Sequence, residues 1–185
     1  MKRTALIPAA AAATLLLASC AGPNAEPADE IETAPAAGET VTGDGYSYSV
    51  PEGWGVPEGM DAASQGLDSL AADLTDDDGF ADNVNVLLSP AGLITIDQAE
   101  QAGVDELETA GATDVELEDR IRVADGDAAR ISADFSQGSL SYVIEQYYLN
   151  GDDQTYIATF SFSDTVDDDT RVETAESVLA TWTWG

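Results

Sequence analysis

Between residues 115 and 162 the chain alternates apolar and polar side chains through four consecutive runs, and this periodicity restricts the fold more than any other feature. Val115, Leu117, Ile121 and Val123 alternate with Glu116, Glu118, Arg120 and Arg122. Ala124-Asp125-Gly126-Asp127 then reads as a hairpin turn. Ala129, Ile131, Ala133 and Phe135 alternate with Arg130, Ser132 and Asp134, and Gln137-Gly138 turns the chain again. Leu140, Tyr142, Ile144, Gln146 and Tyr148 share one face of a third strand. After Asn150-Gly151, Tyr156, Ala158, Phe160 and Phe162 complete a fourth. Such alternation predicts an antiparallel sheet with one face covered and the other wetter.

Helical signals flank these strands. Residues 60–74 are rich in Ala, with Leu67, Leu70 and Leu74 at helical spacing, which predicts a helix. Thr95 and Gln98 form a capping-box pattern ahead of Ala99, Ala102, Val104, Leu107 and Ala110, and Gly111 is placed to end that helix. A last helix starts in Asp167-Asp168-Asp169, where negative charge favours the helix dipole, and carries Val172, Ala175, Leu179 and Trp182 as its buried stripe. Two further strands are predicted at Tyr46–Val50, stopped by Pro51-Glu52-Gly53, and at Val84–Leu88. The class is α+β, an antiparallel sheet flanked by helices.

The amino terminus has a different character. Lys2 and Arg3 precede an apolar run from Ala5 to Ala18, the layout of a secretory signal peptide. At about 1.5 Å per residue the run spans roughly 20 Å, short of a ~30 Å hydrocarbon core. It leads into Leu17-Ala18-Ser19-Cys20, which resembles the lipobox of bacterial lipoproteins. That resemblance implies lipid transfer to the Cys20 sulfur and cleavage ahead of it, anchoring the chain to the extracytoplasmic side of the cell membrane. Two or three acyl chains hold a protein stably where one is marginal. Cys20 is the sole cysteine, so no disulfide forms within the chain. Residues 1–19 are read as the signal and 20–40, with Pro23, Pro27 and Pro35, as the lipidated cysteine and a disordered linker of roughly 25 Å. The folded domain is expected at 41–185.

Charge excludes several functions. The chain has 36 Asp and Glu against 6 Lys and Arg, a formal charge of −30 that becomes −32 when Lys2 and Arg3 leave with the signal. A phosphate-binding surface needs clustered cations, so nucleic acid is not a partner. There is no histidine, which excludes imidazole-based triads and imidazole metal sites. Lys2 is the only lysine, so lysine chemistry is lost with the signal as well. No residue is assigned as catalytic and no cofactor is expected.

Three stretches carry a wider resemblance. Tyr46-Ser47-Tyr48-Ser49-Val50-Pro51-Glu52-Gly53-Trp54 resembles the opening of PsbP-like domains. Phe80-Ala81-Asp82-Asn83-Val84-Asn85-Val86 is similar to the strand entry of actinobacterial LpqN/LpqT-type lipoproteins, and the closing helix ending at Trp182 and Trp184 is similar too. Over residues 41–185 the resemblance implies a curved antiparallel sheet between helices, the PsbP-like α/β sandwich shared with the Ran-binding Mog protein. It brings no catalytic residues, and it implies binding or assembly rather than turnover.

Among candidate site residues, Trp54, Tyr147 and Trp184 offer aromatic surface, the last two because they fall off the predicted buried stripes. Arg120, Arg122 and Arg130 would line one sheet face, with Glu116, Glu118 and Asp134 as the plain partners that neutralise them across strands. Glu145 is the acid best placed for burial, with Arg130 as its bridging partner. Asp76, Asp78 and Asp82 are the weak candidates for calcium. With Gly79 as the sixth position of an EF-hand loop, Leu74 falls first and Asn85 twelfth, and neither fits.

The reading that results is a non-catalytic, lipid-anchored envelope protein that binds a protein partner or an envelope glycolipid. A calcium-dependent structural surface module is the first alternative. A hydrolase working with paired carboxylates is the second, since that scheme needs neither His nor Lys.

Overall fold

The computed structural model describes residues 28–185 except 78 and 139. Strand β1 (Asp29–Glu30) comes first, followed by the hairpin of β2 (Thr40–Gly43) and β3 (Tyr46–Ser49), which turns at Asp44-Gly45. Pro51 to Gly53 then reverse the chain into β4 (Trp54–Gly55); the Trp54 N–H donates to the Pro51 carbonyl at 3.1 Å, and Gly53 takes a φ of +94°. Only a single 3-10 turn, Ala63–Gln65, separates it from β5 (Ser69–Asp73) and β6 (Asn83–Leu88). Helix α1 (Ile96–Ala110) follows, then β7 (Thr113–Val123), β8 (Gly126–Gln137), β9 (Leu140–Asn150) and β10 (Thr155–Ser163). Helix α2 (Asp168–Leu179) and β11 (Thr183–Trp184) close the chain.

Eight strands form one mixed sheet in the order β1-β7-β8-β9-β10-β6-β5-β4, and β11-β3-β2 form a second. All pairings in the large sheet are antiparallel except β1 with β7. The architecture is α+β, as the alternation and the helix signals required.

The sheet is covered on both faces. Helix α1 packs on one, against Ala129, Ile131, Ile144, Tyr148 and Ile157. On the other, α2 and the small sheet enclose the larger core, which includes Tyr147, Leu149, Ala158, Phe160 and Phe162. The expected wetter face is therefore confined to the β7–β8 end, and successive residues from Ile144 to Leu149 are all buried.

Two local signals act as written. The Thr95 side chain accepts from the Gln98 N–H while Gln98 returns a bond to the Thr95 N–H, and Gly111 closes α1 with a φ of +93°. Ala124 and Asp125 both take positive φ, as a two-residue turn between β7 and β8 demands.

Other expectations fail for physical reasons. The helix predicted over 60–74 is absent. Gly66 turns left-handed at φ +77°, and Ser69 to Ala72 satisfy their backbone groups against β6 instead. Of the three leucines that suggested a helical face, Leu70 is buried while Leu74 is exposed. Residues 28–40 of the expected disordered linker are docked on the domain. The Ala36 N–H donates to the Ser177 carbonyl and the Gly38 N–H to that of Val50, both at 2.8 Å, and Thr33 donates to Glu176 at 2.9 Å. Ile31 also packs on the larger core, so the domain begins before residue 41.

Candidate functional site

A polar recess lies on the α2 side of the sheet, between β7–β9 and the start of α2, with a volume of about 430 Å³. Register explains its floor. Arg130 lies opposite Glu118 on β7 and Tyr147 on β9, and Glu145 lies opposite Ser132 two pairs further along. The Arg130 and Glu145 side chains thus meet diagonally across adjacent strands. Arg130 Nε and Nη2 reach Glu145 Oε2 at 3.1 and 3.0 Å. From α2, Arg171 Nε stands 3.8 Å from Glu145 Oε1 while its Nη1 donates to the Val166 carbonyl at 2.6 Å and its Nη2 to Asp168.

Glu145 is 2% exposed and is the only charged residue among the fully buried ones described. Burial pushes its pKa above the ordinary carboxylate value, against the opposing pull of Arg130 and then Arg171. The neighbouring Tyr147 hydroxyl is fully buried without a hydrogen-bond partner among the described residues, and burial raises its pKa strongly. Around this core the cleft is acidic: Asp114, Glu116, Glu118, Asp134, Asp164 and Asp168 line it. Its two arginines are already engaged with Glu145, so the open part of the recess has a negative lining.

The aromatic and arginine candidates do not converge on one site. Trp54 lies in the larger core, and Tyr147 is buried there too, at 0% exposure, rather than projecting from the sheet. Tyr147 was expected outside because a single covered face was expected; α2 supplies the second cover. Trp184 is half-buried, 5.3 Å from the Tyr156 ring and 5.7 Å from Trp182, beside a hollow of about 250 Å³.

The arginines form no positive strip. A bulge between Glu118 and Ile121 inserts one extra residue into β7 and exchanges its faces. Arg120 therefore turns toward α1 and pairs with Asp97 and Glu100, and Arg122 pairs with Glu30 and Asp127. They are neutralised, but by acids other than the expected Glu116, Glu118 and Asp134. Arg171 is the residue of this recess that the sequence pattern did not single out; its one signal is a lone cation in the first turns of a helix opening with aspartates.

Of the calcium candidates, Asp82 Oδ1 accepts from the Ser163 N–H at 2.8 Å, Asp76 Oδ2 faces the Asp82 N–H at 3.4 Å, and Asp78 lies outside the described residues. No group of three or more metal-ligating side chains is gathered among the described residues. Cys20 and Leu17, Ala18 and Ser19 also lie outside them. No described helix is long and apolar enough to cross a membrane.

The order of strands, the helix on each face and the closing short strand allow comparison with solved structures. The crystal structure of LpqN, involved in cell envelope biogenesis of Mycobacterium tuberculosis, superposes with a TM-score of 0.52 over 79% of this chain and 84% of that one, at 12% identity. The chain folds like LpqN. A protein of Bacteroides thetaiotaomicron matches 80% of this chain at 12% identity with a TM-score of 0.46; the chain spans 48% of that protein's length. Compared with protein-family models and with curated proteins, the sequence matches none. The likeness to LpqN concerns the course of the backbone, because 12% identity does not transfer individual side chains.

Proposed function

We propose that this protein is a lipid-anchored, extracytoplasmic binding module of the cell envelope, held to the membrane through Cys20 and devoid of catalytic turnover. The observation that carries the reading is a single cysteine placed directly after Leu17-Ala18-Ser19 at the end of a charged-then-apolar leader. The LpqN-like fold supports it, since LpqN is itself described as involved in cell envelope biogenesis. The cleft supports binding over hydrolysis. Its one buried carboxylate is held by Arg130 and approached by Arg171 at 3.8 Å, a paired arrangement that ties β8, β9 and α2 together. The ligand class is a protein partner or an envelope glycolipid.

Cys20→Ala tests the anchor. The variant should leave the membrane fraction, and globomycin should cause the unmodified chain to accumulate uncleaved. A Cys20→Ala protein that remains membrane-bound overturns the proposal.

A further inference from the structure

We propose that the outer edge of β7 is a docking strand for an extended partner segment that alternates cationic with apolar side chains. Among the described residues, β7 is paired on its outer side only at Ile121 and Arg122, by the two residues of β1. Among the described residues, Thr113 to Arg120 therefore form an eight-residue strand edge with no strand beside it, regular at Glu116–Glu118 and interrupted on either side by a shift of register, with Asp114 at a φ of +48°. The opposite edge of the sheet is β4, just two residues long, so it offers no comparable template. An unpaired edge presents backbone donors and acceptors that an added strand satisfies, and alternate side chains then set specificity.

The two faces of this edge differ. Glu116 and Glu118 sit opposite Ser132 and Arg130 on the side of the acidic recess, with Asp114 at its rim. Leu117 sits opposite Ile131 on the α1 side and is 52% exposed. Arg120, the one cation of the run, is committed to Asp97 and Glu100. Along Glu116–Glu118, between the two shifts of register, a strand laid alongside thus meets carboxylates at one parity and the exposed Leu117 at the other. Charge decides among occupants. A second copy would set acids against acids, which is destabilising. The chain's own leader into β1 is ill-suited, because Pro23 and Pro27 have no N–H to donate and Glu26 is acidic. A basic, alternating segment of another protein fits both faces.

The inference deepens the binding reading by naming a partner class, and its test needs no membrane, so it stands or fails apart from the Cys20 anchor. The probe is an eight-residue peptide alternating lysine with valine, titrated into the full chain in a non-ionic detergent. Binding should weaken by about tenfold or more from low salt to about 0.5 M NaCl. Peptide should slow amide exchange in residues 113–120, and Glu116→Gln with Glu118→Gln should weaken binding by about tenfold. A peptide N-methylated at alternate residues along one edge, keeping its charge, should lose binding when the blocked edge is the pairing one. Equal binding by peptides methylated on either edge would overturn strand addition and leave plain electrostatic adsorption. Amides of 113–120 already protected without peptide would overturn it also, by showing the edge covered within the chain itself. Failure of the parent peptide to bind at low salt disposes of the proposal.

Discussion

Arg130 places both Nε and Nη2 on the same oxygen of Glu145, at 3.1 and 3.0 Å, while Arg171 approaches the other oxygen at 3.8 Å. Through this carboxylate a strand, its neighbour and a helix are joined inside a cleft. Breaking a buried pair from one side costs more than deleting both partners, because it leaves a buried charge uncompensated. Arg130→Met should therefore destabilise the domain by about 3 kcal/mol at neutral pH. Adding Glu145→Gln should recover a large part of that loss. Urea unfolding of the three variants measures both, and a double variant no more stable than Arg130→Met would refute the account.

The same carboxylate sets a pH dependence. Burial raises its folded-state pKa above the value it has in the unfolded chain. A carboxyl in that position binds its proton more tightly when folded. Its contribution to stability is full below the unfolded pKa and is lost as the pH rises through the folded one. The stability difference between wild type and Glu145→Gln should accordingly fall with rising pH, starting at the ordinary carboxylate value. Matched denaturation series across that window provide the measurement, and a difference that grows with pH would mean the arginines outweigh burial.

Helix α1 lies close enough to the sheet to exclude a methyl group at Gly103. A Cβ there would stand 2.5 Å from the Tyr148 hydroxyl and 2.6 Å from Ile131 Cδ1. Neither neighbour is free to retreat: both are buried, and the Tyr148 hydroxyl accepts from Gln146 Nε2 at 2.6 Å. Gly103→Ala should destabilise by about 1–3 kcal/mol despite the better helix propensity of alanine. An exposed control at Ala110→Gly, at the last residue of the helix, should instead lose less than the ~1 kcal/mol that the same change costs in a helix interior.

These features show what one-dimensional periodicity carries. The strands from 113 to 163 were legible because side-chain alternation survives in each of them. Their faces were less so: the bulge after Glu118 moves Ile121 and Val123 into the larger core while Val115 packs with α1 on the other side. The one trace of that extra residue in the sequence is Asp119, which stands at an apolar position of the alternation and makes Glu118 to Arg120 three polar residues in a row. Likewise, the chain from 28 to 40 has little apolar surface, and it is ordered by backbone hydrogen bonds to Val50 and Ser177 that composition does not encode. In the site, Glu145 and its bond to Arg130 were readable from neighbouring strands. The approach of Arg171 depends on where α2 docks, which no local pattern specifies.

The docked segment makes its own prediction. A chain beginning at residue 41 lacks the β1–β7 pairing, the Ala36 and Gly38 hydrogen bonds and the packing of Ile31. With net contributions of about 1 kcal/mol per hydrogen bond and a further ~1–2 kcal/mol for the apolar burial, it should be less stable by several kcal/mol than a chain beginning at residue 28. Denaturant midpoints of the two fragments compare them directly. Coincident midpoints would restore residues 28–40 to the status of a plain tether.

The calcium alternative and simple screening part company in the effect of salt. With 36 acids against 6 bases, like-charge repulsion opposes the compact state, so the melting temperature should rise with ionic strength and level off as the Debye length approaches about 3 Å near 1 M. Screening depends on ionic strength and valence, and calcium and magnesium should therefore raise the midpoint equally at equal concentration. A site of carboxylate ligands sized for calcium would separate the two ions, because magnesium demands a tighter octahedral shell and sheds water reluctantly. Asp82 already spends one oxygen on the Ser163 amide, which leaves the acidic loop fewer free ligands for such a shell. Thermal melts in EDTA, magnesium and calcium at matched ionic strength should consequently coincide in the two divalent ions. A calcium-specific rise, abolished by Asp76→Asn, would establish the metal-dependent module instead.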